Sequence, residues 1–325
     1  MKVLLTGANG FVGSHILDSL LAGRIPTTVL LRPSSERRFL KEHLPSLEVR
    51  SGSITDLQTL KQALTGITHV IHCAGATKAV RASGFFESNQ LGTRNLVEAI
   101  NDQPEVQRFI HISSLAVSGP ATAANPATES GPPRPISIYG ESKLAAEVEV
   151  RERSRVPATI IRPPAVYGPR DQGFLPLFKA VNRHLLPRPS SKQALSLVFV
   201  RDLAAAVVAC LANPLAAGRT YFVASREIVT VRAMGEAIAS QLGHWTVPCP
   251  LPTFALWPLC LAQEIITHVT GKPRLLNLRK FAELRAPGWV CDPSLLKTEL
   301  GFECSTPLKQ GVAETMNWYF EQKWL

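Results

Sequence analysis

The run Thr6-Gly-Ala-Asn-Gly-Phe-Val-Gly13 sets glycines at 7, 10 and 13 directly after a short apolar stretch and at the opening of a helical one. Each glycine answers a geometric need: Gly7 permits a tight turn, Gly10 lets backbone approach a pyrophosphate, and Gly13 lets the helix pack on the strand. The helix N-terminus then offers unpaired N–H groups to the anion, with Phe11 and Val12 on the same turn. Three glycines can also form a loop with no ligand, so the placement must decide.

That placement is a βαβ unit. Residues 2–6, 27–32, 47–50, 69–73 and 108–113 are short, apolar and strand-like, and residues 13–22, 57–64 and 89–101 between them are helical. Strand, helix, strand at this spacing implies right-handed crossovers and an α/β, Rossmann-type doubly wound parallel sheet. Residues 120–135 carry five prolines and no apolar period, and are expected to form a loop before a helix that begins near Ile138. Further strands are expected at 156–162, 195–200 and 220–224, with a helix at 201–211. The expected organisation is a dinucleotide-binding domain over 1–162 and about 195–225. Residues 163–194 and 226–325 form a smaller, mainly helical substrate domain. With 325 residues, 45% hydrophobic and 18% charged, the composition is globular and excludes a disordered chain.

In the usual dinucleotide site an acidic residue ends the second strand and holds the ribose 2′-hydroxyl. Here that position is Arg32, followed by Ser34, Ser35, Arg37 and Arg38. A guanidinium there favours a 2′-phosphate, so the expected cofactor is NADP, with NAD the alternative. A basic solvated loop is the plainer explanation of the same residues.

Tyr139-Gly-Glu-Ser-Lys143 sets a phenol and an ammonium at i and i+4, on one helical face. Spacing alone is weak evidence, since Tyr319 and Lys323 share it. Ser114 distinguishes the first pair, because it lies 25 residues upstream at the end of a strand facing the expected cofactor crevice. A free phenol titrates near pH ~10, and a nearby ammonium lowers it by favouring phenolate. Tyr139 is the candidate acid in ketone reduction and base in alcohol oxidation, with Lys143 tuning it and Ser114 orienting the substrate oxygen. The hydride belongs to the cofactor.

With these residues the chain resembles the extended short-chain dehydrogenase/reductases, which include nucleotide-sugar epimerases, dihydroflavonol reductases and 3β-hydroxysteroid dehydrogenases. The resemblance runs nearly end to end: TGANGFVG at 6–13, HCAG at 72–75, NQLGTRNL at 89–96, ISSLAVSG at 112–119, YGESK at 139–143, RPPAVYGP at 162–169 and LVFVRDLAAAV at 197–207. It implies that Ala74 and Gly75 line the cofactor, that Asn89 sits near its nicotinamide end, and that Pro163 and Val166 border the nicotinamide. It also implies adenine contact at Ser53 and Ile54, although the family often has an acid where this chain has Ser53. Asp56 nearby reads as a helix N-cap. Ser118 replaces a family tyrosine.

Dehydratases of this family carry Asp-Glu after the catalytic hydroxyl residue, and Leu115-Ala116 stand there instead. The apolar segment 247–289, with Phe254, Trp257, Leu259, Ile265, Ile266 and Trp289, suits a lipophilic alcohol or ketone, although core packing is the commoner use of such residues. The expected activity is an NAD(P)-dependent oxidoreductase acting on a secondary alcohol or ketone. A nucleotide-sugar epimerase that retains NAD is the alternative.

Six scattered cysteines read as reduced thiols and point to a cytoplasmic setting. No leader segment is visible, and no metal site is expected. The net charge of +10 makes acidic partners plausible, but no nucleic-acid motif accompanies it. Residues 247–266 are about long enough to span a bilayer, but four prolines argue against a span while leaving peripheral membrane contact open. A homodimer is expected by analogy with the family. His72 and His111 lie in expected strands and are read as packed or hydrogen-bonded residues, not ligands, and His15 resembles a common residue of the family's first helix.

Overall fold

Seven short strands line up in parallel, and inner ones such as Val3–Thr6 and Thr27–Leu31 are buried along their whole length, which is why they read as largely apolar runs and not alternating ones, whereas Glu48–Ser51 at the sheet edge stays partly exposed. The structure is a computed structural model that describes residues 1–189, 193–252, 254, 256–271 and 278–325. Its strands are β1 (Val3–Thr6), β2 (Thr27–Leu31), β3 (Glu48–Ser51), β4 (His69–His72), β5 (Arg108–Ile112), β6 (Ala158–Arg162), β7 (Ala165–Tyr167), β8 (Leu185–Pro189), β9 (Ala194–Phe199), β10 (Thr220–Phe222), β11 (Ile228–Thr230), β12 (Val247–Leu251) and β13 (Gly288–Trp289). Its helices are α1 (Phe11–Ala22), α2 (Leu57–Ala63), α3 (Ala82–Phe86), α4 (Gly92–Asn101), α5 (Ile138–Arg153), α6 (Leu175–Asn182), α7 (Val200–Ala212), α8 (Val231–Leu242), α9 (Leu256–Thr270), α10 (Leu278–Arg285), α11 (Ser294–Leu300) and α12 (Leu308–Glu321). A π-helical turn over Glu87–Leu91 joins α3 to α4.

The main sheet has the order β3-β2-β1-β4-β5-β6-β10. Successive residues of β1 face opposite layers. Val3 and Leu5 join Ile16, Leu17 and Val207 on the α1/α7 side, and Leu4 joins Val70, Leu96 and Phe109 on the other. The chain reverses its direction of travel between β1 and β4, which opens a crevice outside their C-terminal ends. Gly7, Cys73 and Ser113 follow the last residues of β1, β4 and β5, so the loops the sequence marks out emerge at this one edge.

A second sheet is built on β9, with β7 and β13 parallel to it and β11 antiparallel. Its core gathers Tyr167, Phe178, Leu197, Met234 and Tyr319. Residues 195–199, expected within the dinucleotide-binding unit, therefore pair in this smaller sheet. The chain rejoins the main layers with α7, packed on α1, and with β10 beside β6. The expected proline-rich loop has neither strand nor helix at 123–136, and it is pinned by bridges from Ala121 to Trp289 and from Ala127 to Cys291. Within 247–266 the chain forms β12 and most of α9, and no helix among the described residues is long and apolar enough to cross a membrane. The Leu259 side chain lies outside the described residues.

Candidate active site

Gly7 adopts φ +74°, and a Cβ there would lie 2.6 Å from the Ala74 nitrogen, so the turn leans directly on the end of β4. A Cβ on Gly13 would strike the Gly7 carbonyl. The Gly10 N–H donates to that carbonyl at 3.0 Å, closing the loop. The α1 N-terminus has no side-chain cap and no acid in its first turn, so neither blocks the amides of Phe11, Val12 and Gly13 from an anion. The residues present thus fit a dinucleotide pyrophosphate. Behind them, burial lowers His15 to about 4, and its Nε2 lies 2.9 Å from the Pro169 carbonyl.

On the adenine side, Arg32 is exposed immediately after β2, and its N–H donates to Ser35 Oγ at 3.1 Å. Arg38 is turned away, stacked 4.5 Å from the Phe39 ring and 5.0 Å from that of Trp324. Ser53 Oγ lies 2.9 Å from Thr55 Oγ1. Asp56 caps α2 as its position in the sequence indicates, accepting from the Gln58 and Thr59 N–H groups. Ile54 lies where a Cβ on Gly92 would come within 2.7 Å of its Cδ1, so this glycine lets α4 close on the loop.

Ser114 opens a single 3₁₀ turn, Leu115–Val117, and its Oγ accepts from the Ala116 N–H at 3.1 Å. The turn is anchored by Leu115 N–H donating to the carbonyl of buried Pro163 at 2.8 Å. Helix α5 starts at the Ser137 cap. A Cβ on Gly140 would lie 2.6 Å from the Ala116 carbonyl, so the glycine beside Tyr139 lets this helix press against the Ser114 turn. The Tyr139 ring meets Phe85 edge-on at 6.3 Å. Burial pushes its phenol up to about 12, the side-chain interaction with Ser114 opposes the rise, and the Glu283 carboxylate adds to it. Lys143 is buried, with Nζ donating to the Ile112 carbonyl at 2.6 Å. Burial lowers it to about 8, against the pull of Cys73 and Glu147. At neutral pH the pair is a neutral phenol and a largely charged ammonium.

Glu147, one turn beyond Lys143, is fully buried. Its carboxylate accepts from Ser113 Oγ at 2.5 Å and from Arg162 through Nε at 2.8 Å and Nη2 at 2.7 Å, and Arg151 closes to 2.8 Å. One carboxylate therefore ties α5 to the ends of β5 and β6. Asn89, on the π-helical turn, accepts from the Ala76 N–H at 2.8 Å and donates to the Ala76 carbonyl and Ser142 Oγ. Its amide fastens the loop carrying Ala74 and Gly75 to α5. Val166 lies on β7, packed against the α1/α7 core. The second Tyr/Lys pair is dismantled. Tyr319 is buried with its hydroxyl donating to the Asp171 carbonyl, and Lys323 lies beyond the end of α12 at φ +57°, off the helical face that an i, i+4 spacing assumes.

Sequence reasoning missed several of these neighbours. Glu147 had a signal, since it continues the 139, 143 spacing by one more turn, and Arg162 opens the RPPAVYGP segment. Phe85 and Glu283 had none, because only the fold brings α3 and α10 to Tyr139. His72 is hydrogen-bonded as expected, with its ring nitrogens 2.7 Å from Thr6 Oγ1 and 3.1 Å from Thr93 Oγ1, whereas neither nitrogen of buried His111 has a partner.

Residues 3–224 match the NAD dependent epimerase/dehydratase family. The chain belongs to that family. It is 29% identical over 324 residues to the ceramide reductase of Caulobacter vibrioides, covering 99% of this chain and 96% of the relative. It is 28% identical over 330 residues to the UDP-glucose 4-epimerase of Vibrio cholerae, covering 97% and 94%. Among solved structures, DesIV of Streptomyces venezuelae, a dTDP-glucose 4,6-dehydratase with NAD and TYD bound, superposes with a TM-score of 0.81 at 26% identity, covering 99% and 98% of the two chains. These relatives comprise a reductase, an epimerase and a dehydratase, and of the three only the DesIV structure is described with NAD bound.

Proposed function

We propose that this chain is an NADP-dependent oxidoreductase that moves a hydride between the nicotinamide and a secondary alcohol or ketone on an apolar substrate. The observation that carries the reading is the meeting of Ser114, Tyr139 and Lys143 at the sheet edge that also bears the glycine loop. Gly7, Gly10, Phe11, Val12 and Gly13 would hold the pyrophosphate, Arg32 the 2′-phosphate, and Ser53 with Ile54 the adenine side. Ala74, Gly75, Asn89, Pro163 and Val166 would border the remainder. When bound, the nicotinamide supplies or accepts the hydride.

The protein's own part is proton transfer and orientation. The Tyr139 hydroxyl, protonated at neutral pH, gives its proton to the carbonyl oxygen as the carbon is reduced, and takes one back in the oxidative direction. Ser114 Oγ orients that oxygen. Lys143, four residues further along α5, would favour the phenolate left behind through its charge, a tuning set against the burial that raises the phenol. The domain assignment is part of the proposal: main sheet, α7 and β10 bind the dinucleotide, and the β9 sheet with the C-terminal helices binds substrate.

Leu115 and Ala116 supply no acid or base for eliminating water, which separates this site from a dehydratase. The ceramide reductase relative supports an apolar carbonyl substrate, while the epimerase relative favours the second reading, sugar epimerisation on retained NAD. Titration with NADPH and NADH, followed by a ketone and aldehyde panel read at the nicotinamide absorbance, separates them. NADPH preference with net cofactor turnover supports the reductase. Copurified NAD with no net absorbance change on turnover overturns it.

A further inference from the structure

Asp18 sits on α1 about two turns behind the amides that face the anion, and both of its oxygens are taken by distant parts of the chain. Oδ1 accepts from His43 Nε2 at 2.9 Å, and Oδ2 accepts from Arg170 Nη1 at 2.7 Å. His43 belongs to the segment between β2 and β3 that begins at Arg32, and Arg170 to the segment that leaves β7 beyond Val166. These two segments also meet each other, because the Arg170 guanidinium lies 5.6 Å from the centre of the Phe39 ring. The segment after β7 is tied to α1 a second time, where His15 Nε2 donates to the Pro169 carbonyl at 2.9 Å. Three pieces of chain thus close a triangle, and every side of it has a named contact. Arg170 itself has φ +72°, left-handed for a residue that carries a Cβ. Such a conformation costs energy and persists where the surroundings fix it, and the contacts that fix it here are Asp18 and Phe39.

We propose that Asp18 is a positioning residue for the dinucleotide, fixing the spacing of the three walls between which the cofactor is held. On the reading above, α1 holds the pyrophosphate, the segment after β2 holds the adenosine end, and the segment that includes Pro163 and Val166 borders the nicotinamide. Asp18 acts through these walls from behind and does not itself reach the cofactor. A dinucleotide spans all three, so its affinity depends on their spacing being set before it arrives. A mononucleotide depends only on the walls it touches. The half-buried placing of Asp18, His43 and Arg170 suits this task, since solvent and salt screen such pairs less than fully exposed ones. The inference rests on the glycine loop being a dinucleotide site, and neither on the choice of NADP over NAD nor on the role of Tyr139.

The test is fluorescence titration of the full chain with NADPH, with NADH and with reduced nicotinamide mononucleotide, which lacks the adenosine end. Both dinucleotides are used so that a parent preference for NADH, which would overturn the choice of NADP, does not bear on the losses read in the variants. Asp18→Asn keeps the size of the side chain and removes its charge. It is expected to weaken all three ligands, the dinucleotides by about tenfold, the scale of coupling between separated parts of a site. His43→Ala frees only the segment after β2, so it should weaken NADPH and NADH and leave the mononucleotide at its parent affinity. Asp18→Asn combined with Arg170→Met should lose less NADH affinity than the two single losses added together, because both remove the same contact. Thermal unfolding is followed in parallel. Variants that melt lower yet bind both dinucleotides as the parent does overturn the proposal and leave Asp18 a purely structural residue. A His43→Ala chain that loses mononucleotide and dinucleotide affinity alike overturns it too, since the loss would then not follow the walls. Should Asp18→Asn fail to fold, His43→Ala, on a half-buried loop residue, decides by itself.

Discussion

Lys143 Nζ donates to the Ile112 carbonyl at 2.6 Å, two residues before Ser114. This bond fastens α5 to the end of β5, so the ammonium is held in place without a ligand to organise it. A buried ammonium is destabilising unless it is hydrogen-bonded, and the depressed Lys143 titration records that tension.

Tyr139→Phe removes only a hydroxyl from a ring already packed on Phe85. Turnover should fall by about a thousandfold, the usual scale for a positioned general acid, while NADPH affinity stays at the parent value. Steady-state kinetics with a fluorescence titration of NADPH check both halves. Unchanged turnover would remove the phenol from the mechanism.

Lys143 has a lowered folded-state value of about 8 against 10.5 for the free side chain. Between those values the unfolded chain binds more protons, so this group raises stability as the pH climbs from about 8 to about 10.5. Urea unfolding of the parent and of Lys143→Met across that range should show the parent gaining relative to the variant. A constant difference between them would deny that the ammonium is buried.

Glu147 is buried among two arginines and a serine, and Glu147→Gln would leave Arg162 without its charge partner. The expected loss is about 3–5 kcal/mol in urea unfolding, typical of breaking a buried pair. Its carboxyl is held below the usual 4.5, where burial alone would raise it, by Arg162, Ser113 and Arg151. That stabilisation is present above about pH 4.5 and fades as the pH falls through the folded value, so the variant should show a flatter acid limb.

The main sheet is readable from sequence because its inner strands bury both faces, although edge strand β3 stays partly exposed, and loops at its C-terminal edge use residue types that the geometry demands. Gly7, Asp56 and the Tyr139/Lys143 pair all fall where local spacing places them. Strand β9 escapes such reading because an apolar run does not say which sheet it pairs with, and only its register with β7, β11 and β13 decides that. Arg38 reads as available beside Arg32 because a sequence cannot show that Phe39 and Trp324 converge on its guanidinium. Glu283 is invisible for the same reason: it is 144 positions from Tyr139 and meets it only through α10.

Gly13→Ala places a methyl against the Gly7 carbonyl, where the α1 backbone and the loop already touch. Overpacking of this kind costs about 1–3 kcal/mol, and relief requires the loop to move off the anion-binding turn. Thermal unfolding should report the loss, and NADPH titration should show weaker binding. Gly66→Ala, at a turn with open space but φ +69°, supplies the control that strains backbone away from the loop. It should lower stability and leave NADPH affinity alone.

Arg32→Asp tests the cofactor assignment. The side chain is exposed at the end of β2, where a carboxylate would accept from a ribose 2′-hydroxyl and repel a 2′-phosphate. A charge-assisted contact is worth about 1.5–3 kcal/mol, so the ratio of NADPH to NADH affinity should fall by about ten- to a hundredfold and invert if Arg32 is the main determinant. Because Arg38 is held against Phe39 and Trp324, Arg38→Ala should change that ratio little. Equal loss of preference in both variants would mean that the loop attracts the phosphate through its summed charge, not through one placed guanidinium.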